Sequence, residues 1–300
     1  MQLKNFKSYM MPVSMIIGVI FYATLSKLSF LTQYLIFFML LISYTNISLK
    51  EIKFKKLHLY LLSIQLFGSI FAYIFLRPID PIIAQGAMIC ILAPTATSAV
   101  VITGMLGGNT ASLTAYSLLS NMTIAIVAPI FFSLLSDNSA ITFWDEFIQI
   151  AQQVFILLLL PFIISTFISK AIPKLHRRIN SAQSISFILW NIALVIVTAR
   201  TVLFLLEEGR THIQTSCVLF FLILIICALQ FIIGRKLGKR FNDTIAAGQG
   251  LGQKNTILSI WMAQTYLNPL SSIGPGAYVL WQNVINSYQV WRKQRNSMNS

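Results

Sequence analysis

Two short polar stretches interrupt an otherwise apolar sequence, and they hold the side chains best suited to chemistry. The first reads Ala93-Pro94-Thr95-Ala96-Thr97-Ser98, and the second Gly248-Gln249-Gly250-Leu251-Gly252-Gln253-Lys254-Asn255. A proline inside a helix removes a backbone hydrogen bond and clashes with the preceding turn, while glycines lower the cost of unwinding. Each stretch therefore predicts a break in a helix. Broken backbone cannot face lipid, so at membrane depth it is buried in protein or lines a water-filled cavity. There the N-H groups of half-helix N-termini attract anions and freed carbonyls at C-terminal ends attract cations. The chemistry expected of such a place is reversible binding of a solute.

The side chains that would bind it are Thr95, Thr97 and Ser98 from the first stretch, Gln249, Gln253, Lys254 and Asn255 from the second, and Asn283 near the C-terminus. Gln249 and Gln253 stand four apart, on one face if that turn is helical, and both donate and accept hydrogen bonds. Hydroxyls and amides of this kind also bond within and between helices, which is the plainer role for each taken singly. Asn121 is a further polar residue within a span. Lys254 is the sharpest feature, because an ammonium near the bilayer centre is costly unless it meets a cavity, carbonyls or an anion. Its expected partners are broken-helix carbonyls or a solute carboxylate; the competing reading has it snorkel to headgroups.

Other reactive residue types form no constellation. His58, His176 and His212 fall near span ends without repeated spacing to acids, and Cys90, Cys217 and Cys227 lie inside spans with no Cys-x-x-Cys pattern. No catalytic residue, metal cage or cofactor site is predicted, and the chain is not read as an enzyme. No acid lies at a span centre, and Arg200, before Glu207 and Glu208, is read as snorkelling or paired.

The elements that must position these residues follow from composition. The chain has 300 residues, 56% hydrophobic and 10% charged, with mean hydropathy +0.75. Apolar stretches long enough for a hydrocarbon core of roughly 30 Å recur throughout. Ten spans are expected, at 8–26, 29–47, 58–76, 82–106, 110–136, 147–169, 184–206, 212–234, 242–267 and 272–291, the first read as a retained helix. The net charge of +14 suggests no nucleic-acid partner, because the basic residues do not gather into one stripe. They alternate instead: Lys50 to Lys56, Lys170 to Arg178, Arg235 to Arg240 and Arg292 to Arg295 occupy every second connection, which predicts a multi-pass protein of the cell inner membrane with both termini cytoplasmic. Dividing the chain into 1–137 and 138–300 leaves five spans a side, the arithmetic of an inverted repeat, with the fourth span of each half broken.

At these residues the chain resembles the bile acid:sodium symporter superfamily. The likeness is carried by Ala93-Pro94 through Thr103, by Gly108-Asn109 with Ser117 and Pro129, by Gly248 through Asn255, and by Trp281-Gln282-Asn283 with Trp291-Arg292. It implies two inverted five-helix repeats whose broken fourth and ninth helices cross. It further implies a core of spans 3–5 and 8–10 working against a panel of spans 1, 2, 6 and 7. Where sodium-binding members carry their first cation site, this chain has Ala99, Val100, Leu113, Ser117, Gln249 and Gln253. Three of these have no side-chain oxygen and Gln249 has lost a carboxylate's charge, whereas a hard cation wants oxygens and compensating charge. A residual sodium site would use Gln65, Ser117, Gln249 and Gln253. Lys254 stands where the family carries an asparagine and is read as taking over the role of a bound cation.

The expected function is secondary transport of a small organic solute, anionic and carboxylate-bearing, with weakened or absent sodium dependence. A non-transporting membrane sensor and a conventional sodium symporter are the alternatives. The expected partners are that anion and membrane lipid; the oligomeric state is left open.

Overall fold

The computed structural model of the chain describes residues 10, 13–45, 52–96, 98–135, 142–181, 183–207 and 209–298. Thr97 and Glu208 therefore lie outside the described residues, as does the side chain of His212. The described residues form helices: α1 (13–20), α2 (Tyr22–Leu25), α3 (Thr32–Tyr44), α4 (Lys56–Leu76), α5 (Pro81–Leu92), α6 (Ser98–Met105), α7 (Thr110–Leu135), α8 (Phe143–Val154), α9 (Leu160–Ala171), α10 (Pro173–Ser181), α11 (Gln183–Glu207), α12 (Gly209–Lys239), α13 (Thr244–Gly252), α14 (Thr256–Tyr266) and α15 (Ile273–Met298).

Six helical runs among the described residues are long and apolar enough to cross a membrane: Tyr22–Tyr44, Lys56–Leu76, Thr110–Leu135, Phe143–Ala171, Ile185–Phe204 and Ile213–Lys239. The expected spans 82–106 and 242–267 are each two helices, α5 with α6 and α13 with α14. Their breaks fall on the polar stretches. The outer face of α4 carries Phe67, Phe71, Ile74 and Phe75, all 65% exposed or more, a stripe that water would not tolerate and acyl chains would.

The chain separates into two compact units that interleave along the sequence: Met1–Ser48, Ala125–Ile213 and Ile260–Leu270 in the first, Leu49–Ile124, Gln214–Ser259 and Ser271–Ser300 in the second. Within the first unit, α11 is the spine. α1 climbs it, since Ser14 Oγ donates to Asn191 Oδ1 at 3.0 Å and Gly18 packs so closely that a Cβ there would lie 2.6 Å from the Val195 carbonyl. A 3-10 segment, Ser26–Leu31, turns the chain, and the end of α3 returns to Ser186 through a 3.3 Å hydroxyl contact with Ser43. A π turn at Phe155–Leu159 joins α8 to α9 just before Pro161, where the missing N-H would otherwise interrupt an α-helical ladder. His176 at the start of α10 bonds the Thr45 carbonyl at 3.0 Å.

The second unit holds both breaks. Asp80 caps α5, its Oδ1 accepting from the N-H groups of Ile82 at 2.7 Å and Ile83 at 3.1 Å, with Pro81 at the first helical position. α5 meets α15 where both are glycine: a Cβ on Gly274 would sit 2.9 Å from the Gly86 carbonyl oxygen. α13 lies against α12 in the same manner, the Ala247 carbonyl standing 2.4 Å from the position of a Cβ on Gly234. α6 ends in a Schellman turn, with Gly107 at φ 77° and Gly108 N donating back to Thr103 O at 2.8 Å. Leu57, Leu61, Leu113, Tyr116, Ala246 and Leu251 close an apolar cluster beneath the breaks.

His58, in the first turn of α4, is 1% exposed, with Nε2 3.0 Å from Ser112 Oγ and Nδ1 accepting from Lys55 N. It serves as the acceptor of the first turn of α4, and that polar partner makes its burial tolerable. Cys217 is exposed, unlike the buried Cys90 and Cys227, because α12 turns that face outward.

Candidate functional site

Proline 94 and its neighbours end α5 by taking Ala93 to ψ 137°, and Gln253 ends α13 in extended backbone at φ −104°, ψ 107°. Two short extended peptides result, both inside the second unit, and they pair. Thr95 and Lys254 form an antiparallel bridge, the sole such bridge among the described residues. Ala96 N donates to Gln253 O at 3.0 Å, and Asn255 N donates to Pro94 O at 2.8 Å. The two breaks thereby satisfy each other's backbone, the requirement that lipid imposes.

Each break leaves a half-helix whose last carbonyls need donors. At the end of α5 three side chains supply them. Gln65 Nε2 donates to Leu92 O at 2.7 Å and Ala93 O at 2.9 Å, Lys254 Nζ donates to Ile91 O at 2.9 Å, and Gln230 Nε2 reaches Cys90 O at 3.4 Å. At the end of α13, Thr95 Oγ1 donates to Gly250 O at 2.7 Å and Tyr278 OH to Gly252 O at 2.8 Å. Lys254 is 1% exposed and its N-H donates to Gln282 Oε1 at 2.9 Å. Its ammonium thus faces the negative end of a helix dipole at the depth of the break, with no carboxylate joined to it. It does not snorkel.

The amides continue from there as a one-way ladder. Gln249 Nε2 donates to Asn286 Oδ1 at 2.9 Å and to Gln289 Oε1 at 3.3 Å; Asn286 Nδ2 donates to Gln253 Oε1 at 3.2 Å; Gln253 Nε2 donates to Ser98 Oγ at 3.1 Å. Ser98, the first residue of α6, is exposed. Asn255 is spent locally, its Oδ1 capping α14 at Leu258 N, 3.3 Å away. Asn283 is not brought to the crossing: its amide returns to Val279 O of its own helix at 2.6 Å. Asn121 Nδ2 does approach, lying 3.3 Å from Thr95 O, as does the Ser117 hydroxyl, also at 3.3 Å.

Two of the oxygens expected at a residual sodium site already accept protein donors. Gln65 Oε1 already accepts from Tyr116 OH at 2.8 Å and Ser120 Oγ at 3.0 Å, and Gln253 Oε1 accepts from Asn286. Among Gln65, Ser117, Gln249 and Gln253, Gln249 Oε1 alone is a buried side-chain oxygen with no partner. Asn121 Oδ1, on the residue that reaches the Thr95 carbonyl, is likewise buried without a partner. Asp80 and Asp243 lie at helix starts, where Asp80 caps α5 and Asp243 pairs with Lys55 at 3.2 Å, and neither is joined to the crossing.

Sequence reasoning missed several members: Tyr116, Ser120, Gln230, Tyr278, Gln282, Asn286 and Gln289. Gln282, Asn286 and Gln289 are spaced four and three apart on α15, a polar stripe legible as a helix face. Gln230 and Tyr278 gave no such pattern.

Six long apolar helices among the described residues, with two broken helices whose breaks pair backbone to backbone, define a multi-pass membrane protein. The model of the SBF-like CPA transporter family matches residues 21–281, and the chain belongs to that family, within the bile acid:sodium symporter superfamily. A comparison with curated proteins finds no match.

Proposed function

We propose that the chain carries a small carboxylate-bearing organic anion across the cell inner membrane by alternating access, without dependence on sodium. One observation carries this reading: the Lys254 ammonium lies on the Ile91 carbonyl at the end of α5, a place that a bound cation would otherwise take. A fixed positive charge there stands in electrostatically for a coupling ion and leaves the site net positive for an anion. Ser98, at the exposed start of α6, and the Gln253 amide behind it are the donors that a carboxylate would meet first.

In this reading the two halves of the chain are inverted repeats of five spans, giving ten crossings, and the two compact units are the moving parts. Spans 3–5 and 8–10 are the core and spans 1, 2, 6 and 7 the panel, and the second unit holds most of that core while the first holds the panel with the ends of spans 5 and 9. Interleaving of the units along the chain supports that division, and basic connections support cytoplasmic termini. Proteoliposome uptake of a panel of radiolabelled mono- and dicarboxylates, in sodium and in choline buffers, tests the proposal. Uptake of at least one carboxylate, equal in both buffers and abolished in Lys254→Asn at unchanged expression, is expected. Strict sodium dependence would make the chain a conventional symporter, and binding without flux a sensor.

A further inference from the structure

Basic side chains occur at several connections of this chain, and those of α10 differ from the cluster before α4. Lys55, in that cluster, pairs with Asp243. The sequence from Phe147 to Leu206 contains no acidic residue at all, so Lys170, Lys174, Arg177 and Arg178 have none nearby in the chain. All four are exposed, and no ion pair among the described residues includes them. On α10, Lys174, Arg177 and Arg178 stand at positions i, i+3 and i+4, hence side by side on one face. Ile172, Leu175 and Ile179 occupy the other face, with Ile172 44% and Leu175 39% exposed, and no residue of α10 is buried. His176 on that apolar side ties the helix to the Thr45 carbonyl, which fixes its rotation.

α10 follows the candidate span that ends at Ala171 and precedes the one that begins at Ile185. A nine-residue amphipathic helix between two crossings belongs in the plane of the interface, apolar face toward the acyl boundary and basic face at the headgroups. We propose that α10 is a binding face for the phosphates of anionic phospholipid, with the Arg177 and Arg178 guanidiniums as paired forks and Lys174 as the point charge beside them. Free phosphate shares the recognising chemistry, but it lacks the acyl chains that would cover Ile172 and Leu175, so the lipid is the occupant.

The test is native mass spectrometry of the purified full chain titrated with phosphatidylglycerol or phosphatidylcholine. A Lys174→Gln/Arg177→Gln/Arg178→Gln variant should bind phosphatidylglycerol on the order of a hundredfold more weakly, from three charges each acting near the headgroups. A Lys239→Gln/Arg240→Gln control, neutralising exposed charges elsewhere, should keep its lipid. High salt should strip phosphatidylglycerol from the wild-type chain, an arm that needs no variant. Equal loss in both variants would reduce the effect to net charge. Displacement by millimolar inorganic phosphate would make this a free-phosphate site, and unselective binding of phosphatidylcholine would show apolar adhesion alone. Any of the three overturns the proposal.

Discussion

Lys254 costs the fold energy that a neutral residue would not. Burying an ammonium with one carbonyl acceptor and no carboxylate costs several kcal/mol, on the order of what measured buried ions show, against about 1–3 kcal/mol for leaving the Ile91 carbonyl unsatisfied. The first term wins. Lys254→Met, which keeps the stem and discards the charge, is therefore expected to unfold in detergent at the same temperature or a higher one, while carboxylate uptake falls at least about tenfold. A marked drop in melting temperature would make the ammonium a structural fastening. Gln65 is the opposite case. It satisfies the Leu92 and Ala93 carbonyls and the Tyr116 and Ser120 hydroxyls at once, so Gln65→Leu strands four buried groups. A loss on the order of 4 kcal/mol follows. Asn283→Leu, whose amide serves only its own helix, should change stability by less than about 1 kcal/mol, and thermal unfolding of the two variants side by side checks the contrast.

At the scale of elements, short half-helices in the second unit are held by close backbone approach. Gly234 admits the Ala247 carbonyl and Gly252 admits the Phe231 ring, whose Cγ would lie 2.3 Å from an added Cβ. Gly234→Ala and Gly252→Ala must each move backbone or a packed ring, a cost of about 1–3 kcal/mol. Gly276, on α15, would meet nothing within 4 Å. Its change to alanine should instead stabilise, by up to about 1 kcal/mol of helix propensity. Melting temperatures that fail to separate Gly276→Ala from the other two would show that these approaches can relax freely. The breaks themselves were legible: Pro94 and the glycines of 248–252 placed them within a few residues. Their pairing was not, because an antiparallel bridge between Thr95 and Lys254 joins residues far apart in sequence, and no local pattern encodes a partner.

For the whole molecule, the proposed mechanism fixes a sign. A carrier whose positive charge is built into the protein moves net negative charge with each monocarboxylate, whereas a symporter taking two sodium ions with it would move net positive charge. A potential positive on the receiving side should therefore speed uptake, each 100 mV acting with about 2.3 kcal/mol per elementary charge moved across the full field. Proteoliposomes clamped with a potassium gradient and valinomycin measure this, and acceleration by a negative interior would contradict a sodium-free cycle.

Composition, hydropathy and two interrupted spans were enough to determine a helical membrane chain, because lipid constrains every segment locally: apolar length makes a span, and polar breaks must be buried; the family came from the likeness of its motifs. The same logic singled out Lys254, since an ammonium within an apolar run needs a partner wherever the chain goes. Which partner it meets was decided only by tertiary structure. Ile91 and Gln282 come from two separate helices and Lys254 from the extended break between two others, Gln65 lies on yet another helix, and Asn283 misses the crossing that Gln282 and Asn286 reach because α15 turns those residues to different faces. Residue types foretold that the break would be capped; the packing of helices decided by which side chains.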